Sequence, residues 1–235
     1  MWLILVGYLQ LPSPLYHGKA GGMMNKMMIH AGLSALLLAG CSPSAVDNQS
    51  VPDAQDQGSL VGAHIGGPFT LTDQDGKSRS WSDFDGQYRL VYFGYSYCPD
   101  VCPIDLQRIA QGFRQFEKSA PDRAAKVQPI FITLDPARDT PDVVKNYVSA
   151  FHPRLIGLTG TEEQIAAVAK QFVVVYSKEK SEGASEYLVS HTRTPYLFDP
   201  KGNPIALIPV DDPTTPDIDE GSAEEVAKAL NRWVK

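Results

Sequence analysis

Residues 88–103 read YRLVYFGYSYCPDVCP, and this stretch decides the fold. Tyr88 to Phe93 is a continuous apolar and β-prone run, the pattern of a central strand buried on both faces. Gly94 to Tyr97 forms the loop at its C-terminal end, and Cys98 and Cys102 follow at once. Pro103 suits the first turn of a helix. Beyond it Leu106, Ile109, Ala110, Phe113 and Phe116 recur at three- and four-residue intervals as an apolar stripe. A dithiol thus stands where a strand hands over to a helix. Cys98 falls in or just before the first helical turn, where free backbone N–H groups and the helix dipole favour thiolate over thiol.

Downstream, Val127–Thr133 (VQPIFIT) reads as the next strand, and Thr140-Pro141 as the cap and first residue of a helix. Leu155–Leu158 is a short strand, and Thr161 with Gln164 makes a capping box that opens a helix through Lys170. Phe172–Tyr176 reads as a further strand. Thr194–Phe198 and Pro204–Ile208, joined by Asp199-Pro200-Lys201-Gly202-Asn203, form a hairpin, and Ser222 with Glu225 caps a last helix to Val234. Upstream, Pro68–Thr72 and the Asp75-Gly76 turn announce an early hairpin. Strands alternating with helices imply an α/β fold on a mainly parallel sheet. Strand, dicysteine loop, helix, late hairpin and terminal helix is the thioredoxin order. The early hairpin and the inserted helix-strand elements decorate that core.

The first 58 residues have a different character. From Met23 the chain reads MMNKMMIHAGLSALLLAGCS: a positive Lys26, an apolar stretch from Ile29 to Ala39, and small residues before Cys41. Leu38-Ala39-Gly40-Cys41 resembles a bacterial lipobox, whose cysteine is diacylated and becomes the N-terminus. Residues 1–40 are therefore expected to be an upstream extension and lipoprotein signal peptide. Residues 41–58 are expected to be a polar tether, and 59–235 the folded domain. The domain would then lie in the periplasm of a bacterial cell envelope, held to a membrane by lipid on Cys41. Lys19 and Lys26 are the only charged side chains before Cys41, so the formal charge of −6 becomes −8 in a chain starting there. Such an acidic domain has no electrostatic footprint for nucleic acid.

All five methionines lie at or before Met28. A processed chain therefore offers a soft metal no thioether, only the thiols Cys98 and Cys102 and the imidazoles His64, His152 and His191. That set suits either a dithiol redox site or a small copper site. Three residues between the cysteines let the sulfurs splay to chelate one ion, and a loop this short gives a purely structural disulfide little to stabilise. His191 is the expected third ligand, because the loop before the late hairpin crosses the redox cysteines in a thioredoxin-like sheet. His152, in Phe151-His152-Pro153, reads as a helix-terminus residue, and His64, in a Gly-rich segment, as surface. Asp135, in Leu134-Asp135-Pro136, closes a strand on the cysteine edge and reads either as a supporting group or as a turn residue. Asp139 and Arg138 read as residues of the helix start and an ion pair. A thiol-disulfide reductase without an obligatory copper role is the competing function. His191 separates the two, since only the copper site needs it.

The chain resembles the Sco/SenC family of copper chaperones. The resemblance is carried by PFTLTDQDG, LVYFGYSYCPDVCP, FITLDPARDTPDVV, FHPRLIGLTGT, the segment around His191, and YLFDPKG. It implies a thioredoxin-like fold and membrane attachment, with Cys98, Cys102 and His191 as ligands of Cu(I) or Cu(II). It also implies delivery of copper to the binuclear site of cytochrome c oxidase subunit II, with reduction of that subunit's cysteines as a compatible second role. A copper donor or thiol reductant would act upstream. One departure stands out: Ser190 occupies the position where the family usually has an acidic residue.

Overall fold

The computed structural model describes residues 59–180, 187–212 and 219–235. Cys41 and the segments expected to be signal peptide and tether lie outside them. Among the described residues no helix is long and apolar enough to cross a membrane.

The elements are, in order, β1 (Thr70–Asp73), β2 (Ser78–Ser80), a 3-10 turn (Trp81–Phe84), β3 (Tyr88–Gly94), α1 (Val101–Ser119), the short α2 (Pro121–Ala124) and β4 (Val127–Thr133). Then come α3 (Pro141–Ser149), β5 (Ile156–Thr159), α4 (Glu162–Gln171), β6 (Tyr176–Lys180), β7 (Tyr187–His191), β8 (Tyr196–Phe198), β9 (Pro204–Leu207) and α5 (Ala223–Trp233). Seven strands form one sheet in the order β2-β1-β5-β4-β3-β8-β9, while β6 and β7 pair only with each other. This mixed α/β sheet with its inserted elements is the thioredoxin-like architecture read from the sequence. The sheet is less parallel than expected. Only β3, β4 and β5 run parallel to one another; β1 pairs antiparallel with β5 and β8 with β3, and β2 and β9 are their hairpin partners.

Every residue of β3 is buried. It is flanked by β4, in register from Tyr88 opposite Val127 to Gly94 opposite Thr133, and by β8 on the other side. Leu106, Ile109, Phe113 and Phe116 of α1 are buried as the stripe required, each worth roughly 1.5–3 kcal/mol of apolar burial. The helix α1 packs on α5 at very short range: a Cβ placed on Gly112 would stand 2.6 Å from the Cβ of Val226.

The helix starts behave as read. The Thr140 and Thr161 hydroxyls accept the N–H of Val143 and Gln164, and the Ser222 hydroxyl accepts that of Glu225. The expected strand at Phe172–Tyr176 does not form there. Instead Val173 adopts φ 57°. Its N–H bonds Lys170 O at 3.2 Å, and Val174 N–H bonds Ala169 O at 2.8 Å. That is a Schellman cap, with valine where glycine is usual. The unpaired carbonyls at the end of α4 outweigh the β-propensity of the Val-Val-Val run. The strand begins only at Tyr176, and continues through polar, exposed Ser177–Lys180.

Candidate functional site

Parallel β3 and β4 end on one edge of the sheet, where Leu134 N–H bonds Gly94 O at 2.7 Å. The loops that follow, Tyr95–Asp100 and Leu134–Thr140, therefore open side by side, in the position where α/β sheets bind ligands. Helix α1 starts at Val101, so Cys98 precedes the helix and Cys102 lies in its first turn. The two do not share a helical face. Asp100, the residue before α1, makes no side-chain cap. The sulfur of Cys98 fills that role and accepts the backbone N–H of Cys102 at 3.4 Å.

Both cysteines are free thiols here, Cys98 half-buried and Cys102 fully buried. Their mutual hydrogen bond splits them electrically. It draws the Cys98 thiol down to about 5, helped by backbone N–H groups and the nearby His191, while burial works against it. The same bond, together with burial, pushes Cys102 far up. Cys98 is the thiolate and Cys102 keeps its proton. Gly94 makes room for the inner sulfur: a Cβ there would stand 3.2 Å from Cys102 Sγ and 3.1 Å from the Tyr92 ring.

His191 is the last residue of β7, and its Nε2 lies 3.1 Å from Cys102 Sγ. Its Nδ1 lies 2.9 Å from the carbonyl of Thr192. A carbonyl only accepts, so Nδ1 carries the proton and the Nε2 lone pair faces Cys102 Sγ, sharing its single S–H with the Cys98 thiolate. Burial lowers the imidazole's proton affinity below the ordinary histidine value, which keeps that lone pair free. Tyr95 packs edge-on to the ring at 6.1 Å between centroids. Two sulfurs and a neutral imidazole with its Nε2 free are a donor set that fits a soft ion such as Cu(I). Among the described residues no three His, Cys, Asp or Glu side chains form a ready-made metal cluster. The contacts are pairwise: Cys98 with Cys102, and Cys102 with His191.

The other candidates are arranged differently. His152 is buried between Glu117, at 3.2 Å from its Nε2, and the N–H of Arg154, at 3.2 Å from its Nδ1. Burial outweighs the Glu117 carboxylate and lowers its affinity for a proton. His64 is exposed. Ser190 is exposed, between buried Val189 and half-buried His191. Strand alternation turns it away from the cysteines.

Asp135 is fully buried, with Tyr187 Oη donating to it at 2.6 Å and Arg138 Nε as its ion-pair partner. It reaches the site through β7 rather than through a sulfur. The Arg138 guanidinium lies over Tyr187 at 4.0 Å and over Tyr97 at 4.9 Å. Asp139 is more than a residue of the helix start. Completely buried, it accepts from Thr133 Oγ1 at 2.5 Å, from Ser96 N–H at 3.0 Å and from the Ser96 hydroxyl, fixing the loop that leads into Cys98.

Sequence reasoning also missed Tyr92, Asp105 and Arg193. Tyr92 Oη donates to Asp105 Oδ2 at 2.9 Å, and Arg193 grips the same carboxylate at 2.7 and 3.0 Å. A signal existed. Asp105 falls inside the apolar stripe of α1, one turn after Cys102, where a carboxylate must be buried and therefore paired.

The pattern of the SCO1/SenC family matches residues 57–231. The bovine mitochondrial protein SCO2 homolog is 38% identical over 197 residues, covering 81% of this chain and 73% of its own. Yeast mitochondrial protein SCO2 is 44% identical over 139 residues, or 59% of this chain and 45% of the yeast protein. The structure of Bradyrhizobium japonicum ScoI with copper bound superposes with a TM-score of 0.61 at 38% identity, covering 72% of this chain and 99% of that one. With the fold, the dicysteine loop and these likenesses in hand, the chain belongs to the SCO1/SenC family.

Proposed function

We propose that this protein is a copper chaperone of cytochrome c oxidase assembly. In this reading it holds copper on Cys98 Sγ, Cys102 Sγ and His191 Nε2 and delivers it to the binuclear site of oxidase subunit II. The observation that carries it is the 3.1 Å approach of an unprotonated imidazole nitrogen to the inner sulfur, which a plain dithiol exchanger does not need. Copper-bound relatives of this family support the choice of metal. Binding converts the Cys102–His191 hydrogen bond into two metal bonds, releases the Cys102 proton, and draws in Cys98, already a thiolate. Anchoring belongs to the same reading: Cys41 carries lipid, 41–58 is a tether, and 59–235 faces the periplasm.

The asymmetric thiols favour a second, compatible activity. Cys98 thiolate attacks a disulfide in the partner, giving a mixed disulfide and one partner thiolate. Cys102, losing its proton, then attacks the Cys98 sulfur and releases the second partner thiolate. The partner gains two electrons and the protein becomes the Cys98–Cys102 disulfide. Acceptor cysteines must be reduced before they take metal, so the two activities serve one end.

The test is a copper titration of the reduced full-length chain with single replacements. His191→Ala, Cys98→Ala and Cys102→Ala should each cut affinity strongly, and His191→Ala should leave disulfide formation intact. His152→Ala and His64→Ala should bind like the parent. Parent-like binding by His191→Ala would remove the third ligand from the proposal.

A further inference from the structure

We propose that the Asp105–Arg193 ion pair is the positioning element that holds His191 against Cys102 and so sets how tightly the site retains a soft metal ion. The inference rests on the reading of His191 as a ligand. Cys102 and Asp105 stand one turn apart on α1, and His191 and Arg193 stand two residues apart at the end of β7 and just beyond it. The same two segments are thus bridged twice. One rung is Cys102 Sγ to His191 Nε2 at 3.1 Å. The other is Asp105 to Arg193, with Nη2 to Oδ1 at 2.7 Å and Nε to Oδ2 at 3.0 Å.

The second rung is needed because of the topology. The β6–β7 pair shares no ladder with the seven-stranded sheet, so strand pairing does not locate His191 relative to α1. Tyr187 reaches Asp135 from the other end of β7, and Thr192 N–H bonds Val175 O at 2.9 Å just before β6. Neither contact touches α1. The fork of Arg193 does, close to the ligand, and its planar two-point geometry fixes direction as well as distance.

The surroundings are built to hold the pair. The Asp105 side chain is 1% exposed and that of Arg193 22%. Tyr92 Oη supplies a further donor to Asp105, and Arg193 Nη1 donates to Asp211 O at 3.3 Å. A buried ion pair is a poor device for stability alone, since apolar side chains of similar volume do as well. What the pair adds is geometry. Groups that orient a metal ligand typically change affinity by about 10- to 100-fold when altered.

The experiment uses the full-length chain, reduced and titrated with Cu(I) against a chromophoric chelator, with the Cu(II) spectrum as second readout. Arg193→Lys keeps the charge and loses the fork, and Asp105→Glu keeps the charge and shifts it by a methylene. Each should weaken Cu(I) binding at least about tenfold and alter the Cu(II)–thiolate band. In a His191→Ala background neither substitution should weaken binding further, because the pair acts only through that ligand. If both variants match the parent while His191→Ala loses copper, the positioning role is wrong and the ligand reading stands. Losses that add to that of His191→Ala also overturn it, since they place the effect elsewhere. If His191→Ala itself binds like the parent, the ligand reading falls and this inference with it.

Discussion

The split between the two thiols makes a prediction about rate against pH in the reduced, metal-free protein. With Cys98 drawn down to about 5, its thiolate fraction is nearly complete at pH 7. An ordinary thiol near 8.5 is only about 3% ionised there, so ionisation alone favours Cys98 by roughly thirtyfold. The more acidic thiolate is, however, a weaker nucleophile. With a Brønsted coefficient of about 0.45, a drop of about 3.5 pK units costs roughly fortyfold in intrinsic rate. The two effects nearly cancel at pH 7. At pH 5.5 the ionised fractions differ by nearly a thousandfold, and Cys98 should react about twentyfold faster than a free thiol. At pH 8.5 it should be about twentyfold slower. Iodoacetamide labelling followed by peptide mass analysis gives the profile. The rate should rise with a midpoint near 5 and then stay flat, with Cys102 unlabelled in its buried position. A rate that climbs steadily to pH 9, or first labelling at Cys102, would refute the assignment of thiolate and thiol.

Two further outcomes are expected. Gly94→Ala places a methyl 3.2 Å from Cys102 Sγ, with the Tyr92 and Phe131 rings at 3.1 and 3.3 Å, so the sulfur must give way. The variant should stay folded in a thermal melt but bind copper more weakly; unchanged affinity would show that the sulfur has slack. Mass spectrometry of the membrane fraction should find diacylated Cys41 as the first residue, and an unmodified peptide crossing Gly40–Cys41 would dismiss the lipoprotein reading.

Much of this molecule is legible residue by residue. The unbroken apolar run of β3, the stripe of α1 and the threonine and serine caps are local signals, and each element formed where its signal lay. The errors have separate physical causes. Val173 sits in a β-prone run, yet its conformation is set by the carbonyls of the preceding helix turn. The strand β6 is polar because it belongs to a ribbon rather than to the core, and so it has no hydrophobic alternation to announce it. That Cys98, Cys102 and His191 lie together was readable because thiols and histidines are few. Asp139 and Arg193 act through partners 43 and 88 residues away, at Ser96 and Asp105. Sequence shows that a charged side chain within an apolar stripe needs a partner, but not which one.

The unequal depth of the two sulfurs bears on how the site meets an oxidant. Cys102 has no exposed surface, whereas Cys98 is partly open to solvent. A peroxide therefore meets the outer sulfur first and converts its thiolate to a sulfenic acid, releasing hydroxide. The inner thiol, held within hydrogen-bonding reach, condenses with it and expels water before a second oxidant arrives. The product is the Cys98–Cys102 disulfide, which a reductant reverses, and not a sulfinate, which lies beyond ordinary repair. The burial that hides Cys102 thus keeps the outer cysteine on the recoverable part of its oxidation ladder.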